Sequence, residues 1–181
     1  MRLLYLVRHA TPVIRPEVPP REWVLSERGI EEATALAALA DGWGIAALYS
    51  SSEPKAQATA LIVGDAVGAG VRVVAAFDEL NMGPEWISNA DAFNEQVRAI
   101  LEESGQHPRG AERASVAAER FAGGVAIVRQ GAFPAAIVSH GRILAAYLSR
   151  ELGIESPFEF WREIPMPGWA CLDLDAPRAG L

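Results

Sequence analysis

Two of the three histidines in this 181-residue chain stand where a short apolar run gives way to polar residues: His9 in Leu6-Val7-Arg8-His9-Ala10, and His140 in Val138-Ser139-His140-Gly141. An imidazole can attack phosphorus through one ring nitrogen while a neighbour fixes its tautomer through the other. Cations that could serve such an attack are at hand. Arg8, Lys55 and a charged His140 could clamp a phosphoryl group and neutralise charge in the transition state. Arg15 could supply another cation. The Gly141 N–H opens a predicted helix, and helix N-termini favour anions. A carboxylate at the end of a third apolar run, Glu79, could give a proton to the leaving oxygen and then take one from water. Asp78 shares its loop, so the pair leaves the acid open between two neighbours.

Other chemistries fit less well. The histidines lack His-x-x-x-His spacing, so no metal site is expected. The third, in Gln106-His107-Pro108, reads as an exposed loop residue. The glycines at 64, 68 and 70 are not followed by Gly-Lys-Ser/Thr, and Gly-x-Ser-x-Gly is missing, which weakens a P-loop and a serine esterase.

The elements that must position these residues can be read from apolar patterning. Leu3 to Val7, Ile45 to Tyr49, Val71 to Ala76 and Ala135 to Val138 are short apolar runs, the form of strands buried on both faces of a parallel sheet. Ala170 to Leu174 reads as an edge strand, with Cys171 as a small apolar side chain. Helical patterns cover about 26–40, 53–67, 90–103, 112–130 and 141–151. Ser26 reads as an N-cap, with Ile30, Ala33, Leu36, Ala37 and Ala40 as the inward face. Pro54 suits a first helical turn. Prolines 12, 16, 19 and 20 make 11–24 a loop, beside which Trp23 and Trp86 could line a pocket; 80–89 is loop-like and the tail from Ala176 to Leu181 reads as frayed. Alternating strands and helices predict an α/β domain with a mainly parallel sheet. No domain boundary is visible, so 1–181 reads as one domain. In such sheets ligands bind beyond the carboxyl ends of the strands. Placed side by side, these strands would bring two histidines, two cations and a carboxylate to one edge.

Composition narrows the partners. The formal net charge is −7 and half of the residues are hydrophobic, an ordinary globular composition that argues against nucleic-acid binding. A local arginine cluster can still hold a phosphate. No apolar run approaches the roughly 20 residues of a membrane span. The expectation is a cytoplasmic protein without a membrane partner, acting on a small phosphorylated substrate or a phosphoprotein. The sequence does not give an oligomeric state.

Five segments carry a family resemblance. Leu6-Val7-Arg8-His9-Ala10 resembles the signature that opens the histidine phosphatase superfamily, the phosphoglycerate mutase-like fold. Leu25-Ser26-Glu27-Arg28-Gly29 resembles its second motif, and Tyr49-Ser50-Ser51 followed by Thr59-Ala60 its third. Phe77-Asp78-Glu79-Leu80, with Gly83 and Trp86, is similar to the segment carrying the acid, and Val138-Ser139-His140-Gly141 to that carrying the second histidine. The order holds along nearly the whole chain. The resemblance implies a three-layer α/β/α fold with helices on both faces of the sheet. It implies a phosphohistidine on His9, phosphoryl contacts from Arg8 and His140, Glu79 as proton donor, and no cofactor or metal.

The chain departs from the family pattern at three places. Lys55, its only lysine, stands where the family usually has a second arginine; it keeps the charge but not the bidentate fork. Arg15 stands where many members carry asparagine, and Glu32 where glutamine is frequent. A phosphomonoester hydrolase is the leading expectation. A catalytically weak phosphate-binding or interaction module, motivated by Lys55, and a phosphoglycerate mutase are the alternatives. Between Glu79 and His140 no long insertion stands out that might enclose a three-carbon acid, which ranks the mutase lower.

Overall fold

The first apolar run forms β1, Leu3–Arg8, and it becomes the hub of the sheet. A computed structural model describes residues 1–84 and 86–176. The remaining elements are α1 (Glu27–Ala40), β2 (Ala47–Ser50), α2 (Pro54–Val67), β3 (Val71–Val73), α3 (Ala90–Leu101), α4 (Ala114–Val128), β4 (Ala135–Ser139), α5 (Gly141–Leu152), α6 (Pro157–Glu163) and β5 (Gly168–Asp173). The strand order is β3-β2-β4-β1-β5. β1, β2, β3 and β4 run parallel, and β5 pairs with β1 antiparallel.

Strand residues alternate between two cores. Leu4, Leu6, Ala135 and Ile137 face the layer of α3, α4, α5 and α6, where Phe121 sits between Phe77 and Tyr147 at ring distances of 4.9 and 4.6 Å. Val7, Leu48, Ala136 and Val138 face α1 and α2 through Leu36, Ala37, Ala40, Ala56, Ala60 and Val63. Burial on both faces explains why these strands read as unbroken apolar runs. The expected three-layer α/β/α architecture is what the chain adopts.

Register aligns the strand ends. Arg8 lies opposite Ser139, and Ser50 opposite Val138. The pairing continues one residue further, with His9 N–H donating to the Ser139 carbonyl (2.9 Å) and Ser51 N–H to that of Val138 (3.0 Å). His9, Ser51 and His140 therefore leave the sheet at one edge.

Several local expectations need correcting. β3 stops at Val73, and Ala75–Phe77 forms a 3₁₀ turn. Phe77 is drawn fully inward, and Arg120 braces the turn by donating to the carbonyls of Ala76 (2.9 Å) and Asp78 (3.1 Å). β5 begins earlier than expected and Cys171 on it is exposed. The seven residues of α6 are too few to show a period; Pro157 opens the helix, and Arg98 covers the Phe158 ring at 3.9 Å. The loop 11–24 carries a short 3₁₀ turn at Pro20–Glu22. Most of the tail expected to fray, residues 177–181, lies outside the described residues. No helix among the described residues is long and apolar enough to cross a membrane.

Helix α1 starts as expected, with Ser26 Oγ accepting from Gly29 N–H. Ile30 is half exposed rather than inward. The buried stripe runs through Gly29 instead, because the segment after β1 lies on the helix there. A Cβ on Gly29 would sit 2.1 Å from the Thr11 carbonyl oxygen. The Gly29→Ala variant should therefore lose stability by about 1–3 kcal/mol, the scale of overpacking, in spite of the roughly 1 kcal/mol that alanine gains in a helix. A urea titration measures this. An unchanged or raised midpoint would show that the Thr11 backbone moves aside freely.

Candidate active site

At the shared edge the two histidine rings meet edge to face, with centroids 5.0 Å apart. Each is buried, and each is bound through a different nitrogen. His9 Nδ1 lies 2.7 Å from the Ala10 carbonyl oxygen. A carbonyl only accepts, so Nδ1 carries the hydrogen and Nε2 keeps its lone pair. Ala10 N–H in turn donates to Thr59 Oγ1 (3.1 Å), and that hydroxyl donates to the Lys55 carbonyl (2.9 Å). Helix α2 thus fixes the backbone that fixes the ring. Burial pushes the His9 pKa down to about 3; the Ala10 carbonyl opposes this and the Lys55 charge adds to it. The ring is neutral at physiological pH, as a nucleophile must be.

Arg8 reaches from β1 toward the start of α5. Its Nη1 donates to the Ile164 carbonyl (2.6 Å), while Nε is buried with no partner among the described residues. Its guanidinium lies against Gly141, where a Cβ would stand 3.0 Å from Arg8 Cζ. Glycine at 141 thus makes room for Arg8. The anion at the α5 N-terminus is the Glu79 carboxylate. Its Oε1 accepts from Ile143 N–H and Leu80 N–H (2.9 Å each), and Oε2 lies 3.5 Å from Arg142 Nη2. Burial works to raise the Glu79 pKa, but the Arg142 charge and these N–H groups outweigh it, so the carboxyl lies below its ordinary value. Asp78 points elsewhere, accepting from Ser51 Oγ, Ser52 N–H and Ser52 Oγ. Of the two acids it is Glu79 that lies beside Arg142 at the start of α5, and its charge is felt by Arg8.

Lys55 is buried, and so is a carboxylate that the sequence reading passed over. Glu53, the N-cap residue of α2, binds Lys55 Nζ through Oε2, accepts Glu79 N–H on Oε1 (2.8 Å), and comes within 3.7 Å of His140 Nε2. Burial raises the Glu53 pKa, and Lys55 pulls against that rise. Lys55 also donates to the Pro20 carbonyl (2.8 Å), tying the proline-rich loop to α2. An ammonium has three hydrogens, and two are engaged. The signal for Glu53 was present in Glu53-Pro54-Lys55, an acid at a helix N-terminus where negative charge is favoured.

Some expected residues are not drawn in. The Arg15 side chain is exposed, and the Arg15 carbonyl accepts from Trp23 Nε1 (3.0 Å) and Val18 N–H (3.2 Å). Trp23 and Trp86 do meet, with ring centroids 5.8 Å apart. Glu32 holds Thr11 N–H (3.0 Å), which gives that departure a structural role beside the His9 segment. His107 is half-buried, its Nε2 3.0 Å from the Ala111 carbonyl.

The profile of the histidine phosphatase superfamily, branch 1, matches residues 4–178. The chain belongs to that superfamily. No curated protein sequence matches it. Among solved structures, a mycobacterial glucosyl-3-phosphoglycerate phosphatase complexed with VO3 is similar at 24% identity and TM-score 0.76, covering 96% of this chain and 91% of that one. A putative alpha-ribazole-5'-P phosphatase of Escherichia coli matches at 22% identity and TM-score 0.70, covering 96% and 91%. Phosphoglycerate mutase of Bacillus anthracis matches at 19% and 0.70, covering 86% and 82%. At these identities the likeness is one of fold. This member of the superfamily therefore shares its architecture with phosphatases and a mutase alike.

Proposed function

We propose that the protein is a phosphomonoester hydrolase that forms a phosphohistidine on His9. The observation that carries this reading is the His9 ring itself: neutral, buried, its Nδ1–H spent on the Ala10 carbonyl and its Nε2 lone pair left for attack. Arg8, Lys55 and His140 would hold the phosphoryl oxygens, and the buried Arg8 Nε, without a partner among the described residues, supports a ligand there. Nε2 attacks phosphorus as the ester P–O bond breaks, and the leaving oxygen takes a proton from Glu79. Water then attacks the phosphohistidine, and Glu79 takes a proton from it. Glu79 is held ionised before substrate arrives, so the proton it gives enters with the substrate, as the monoanionic ester. The substrate is a small phosphorylated compound or a phosphoprotein, with no nucleic acid or membrane involved, and the cytoplasm is the proposed location. The phosphatases among the structural neighbours agree with this class.

The test is phosphate release from an aryl phosphate, without added metal, followed from pH 5 to 9. The monoanion of a phosphate ester disappears above its second pKa of about 6. kcat/KM should therefore fall by at least about tenfold per pH unit in the alkaline range. A flat profile between pH 6 and 8 would mean that the dianion is used and the proton comes from elsewhere.

The Glu53 carboxylate beside Lys55 favours a second reading, phosphate binding without turnover, because it offsets the cation that should hold phosphate. Vanadate binding with no phosphate released from any member of a broad substrate panel would select it. The mutase reading is carried by fold likeness only.

A further inference from the structure

Ser51 stands at the end of β2, fully buried, between His140 and Asp78. Its Oγ lies 2.7 Å from His140 Nε2 and 2.9 Å from Asp78 Oδ1, and Glu53 N–H donates to it at 3.1 Å. A hydroxyl has one hydrogen and two lone pairs. A carboxylate only accepts, so the hydrogen goes to Asp78. Glu53 N–H fills one lone pair. The other is left for the ring, and His140 Nε2 has to be the donor. Its Nδ1 is then the open atom, and it is buried with no partner among the described residues.

We propose that Ser51, backed by Asp78, is a positioning residue that holds His140 in its Nε2–H form and turns Nδ1 toward the phosphoryl group. The two histidines then carry opposite tautomers, Nδ1–H on His9 and Nε2–H on His140. Each presents an unprotonated nitrogen to the pocket, one to attack phosphorus and one to take up a proton from solvent and clamp. The groups around His140 agree with a ring that is neutral while the site is free. Burial lowers its pKa, and His9 from β1, Lys55 from α2, Arg142 from α5 and Arg8 push the same way. Glu53 Oε1, at 3.7 Å, is the carboxylate nearest Nε2 and favours the charged ring once a phosphoryl group arrives. The inference rests on the phosphatase reading for what fills the pocket, but not for the tautomer.

The experiment is nitrogen NMR of the full chain labelled at histidine. Only three histidines are present, and His9→Gln and His107→Gln assign them. At pH 7 the free protein should show His140 as the neutral Nε2–H form and His9 as the Nδ1–H form. Tungstate, a dianion that brings no proton, should protonate His140 Nδ1. Ser51→Ala should leave His140 in a mixture of tautomers and lower kcat on an aryl phosphate more than it raises KM. Ser51→Cys keeps the volume but weakens the acceptor, and should do the same should alanine fail to fold. A Nδ1–H form of His140 in the free wild-type protein overturns the proposal, as does an unchanged tautomer in a folded Ser51 variant. Absence of phosphatase activity with the expected tautomers would sink the hydrolase reading alone.

Discussion

His9→Ala is expected to lower phosphate release by about four orders of magnitude or more, the scale of removing a covalent nucleophile. No neighbour is placed to take over. Lys55 is engaged by Glu53 and Pro20 and Glu79 by the N-terminus of α5, and the open Nδ1 of His140 is the nitrogen that takes up a proton to clamp the phosphoryl group. Acid-quenching the wild-type protein during turnover would destroy an acid-labile phosphohistidine, whereas alkali quenching should preserve it and show label on His9. His107→Ala serves as the control, since that ring binds the Ala111 carbonyl of its own loop. Turnover of His9→Ala within tenfold of the parent would rule out a phosphohistidine at this position.

Lys55→Met should be costly in two separate ways. It leaves Glu53 buried, 8% exposed at its side chain, without its cation. Removing one partner of a buried ion pair typically costs about 3–5 kcal/mol. Glu53 can relieve part of this by taking a proton. Its folded pKa then stands further above its unfolded value, so the native state binds the extra proton and stability falls as pH rises. The deficit in urea titrations should accordingly widen between pH 5 and 8. Activity should fall as well, by about a hundredfold for one lost charged contact to the transition state. The double variant Glu53→Gln, Lys55→Met separates the effects. The glutamine can still accept Glu79 N–H, so most of the stability should return while the activity does not. Equal stability of Lys55→Met and the parent at pH 8 would show that the pair contributes nothing to the fold.

The residues most legible in the sequence were those that follow central strands. His9 and His140 follow β1 and β4, and a parallel sheet brings such positions to one edge, whereas Glu79 lies beyond the 3₁₀ turn after β3 and is held there by Arg120 and α5. Glu53, Ser51 and Arg142 were not legible, because their roles depend on which neighbour each side chain reaches. Ser51 was visible as part of a motif, but nothing in Tyr49-Ser50-Ser51 shows that Asp78, 27 positions on, would accept its proton. Gly141 illustrates the same limit. Its position at a helix start was readable, but not that Glu79 would occupy that helix end or that Arg8 would need the space of a missing Cβ. Ile30 shows the limit for the fold. Its spacing suits the buried stripe, and only the approach of Thr11 to Gly29 rotates that stripe away from it.

The place of β1 in the sheet bears on how the protein is made. Its partners are β4, beginning at Ala135, and β5, beginning at Gly168. His9, which follows β1, is thus synthesised well before the strands that fix it. A ribosome-bound chain that has emerged to the end of α4 can join β2 to β3, but β1 has no strand to pair with. Closing so long a loop costs entropy before any strand pairing rewards it, which slows folding. Until β4 emerges, the apolar run Leu3–Val7 is an unpaired strand. Such unpaired apolar strands are what makes folding intermediates prone to aggregate.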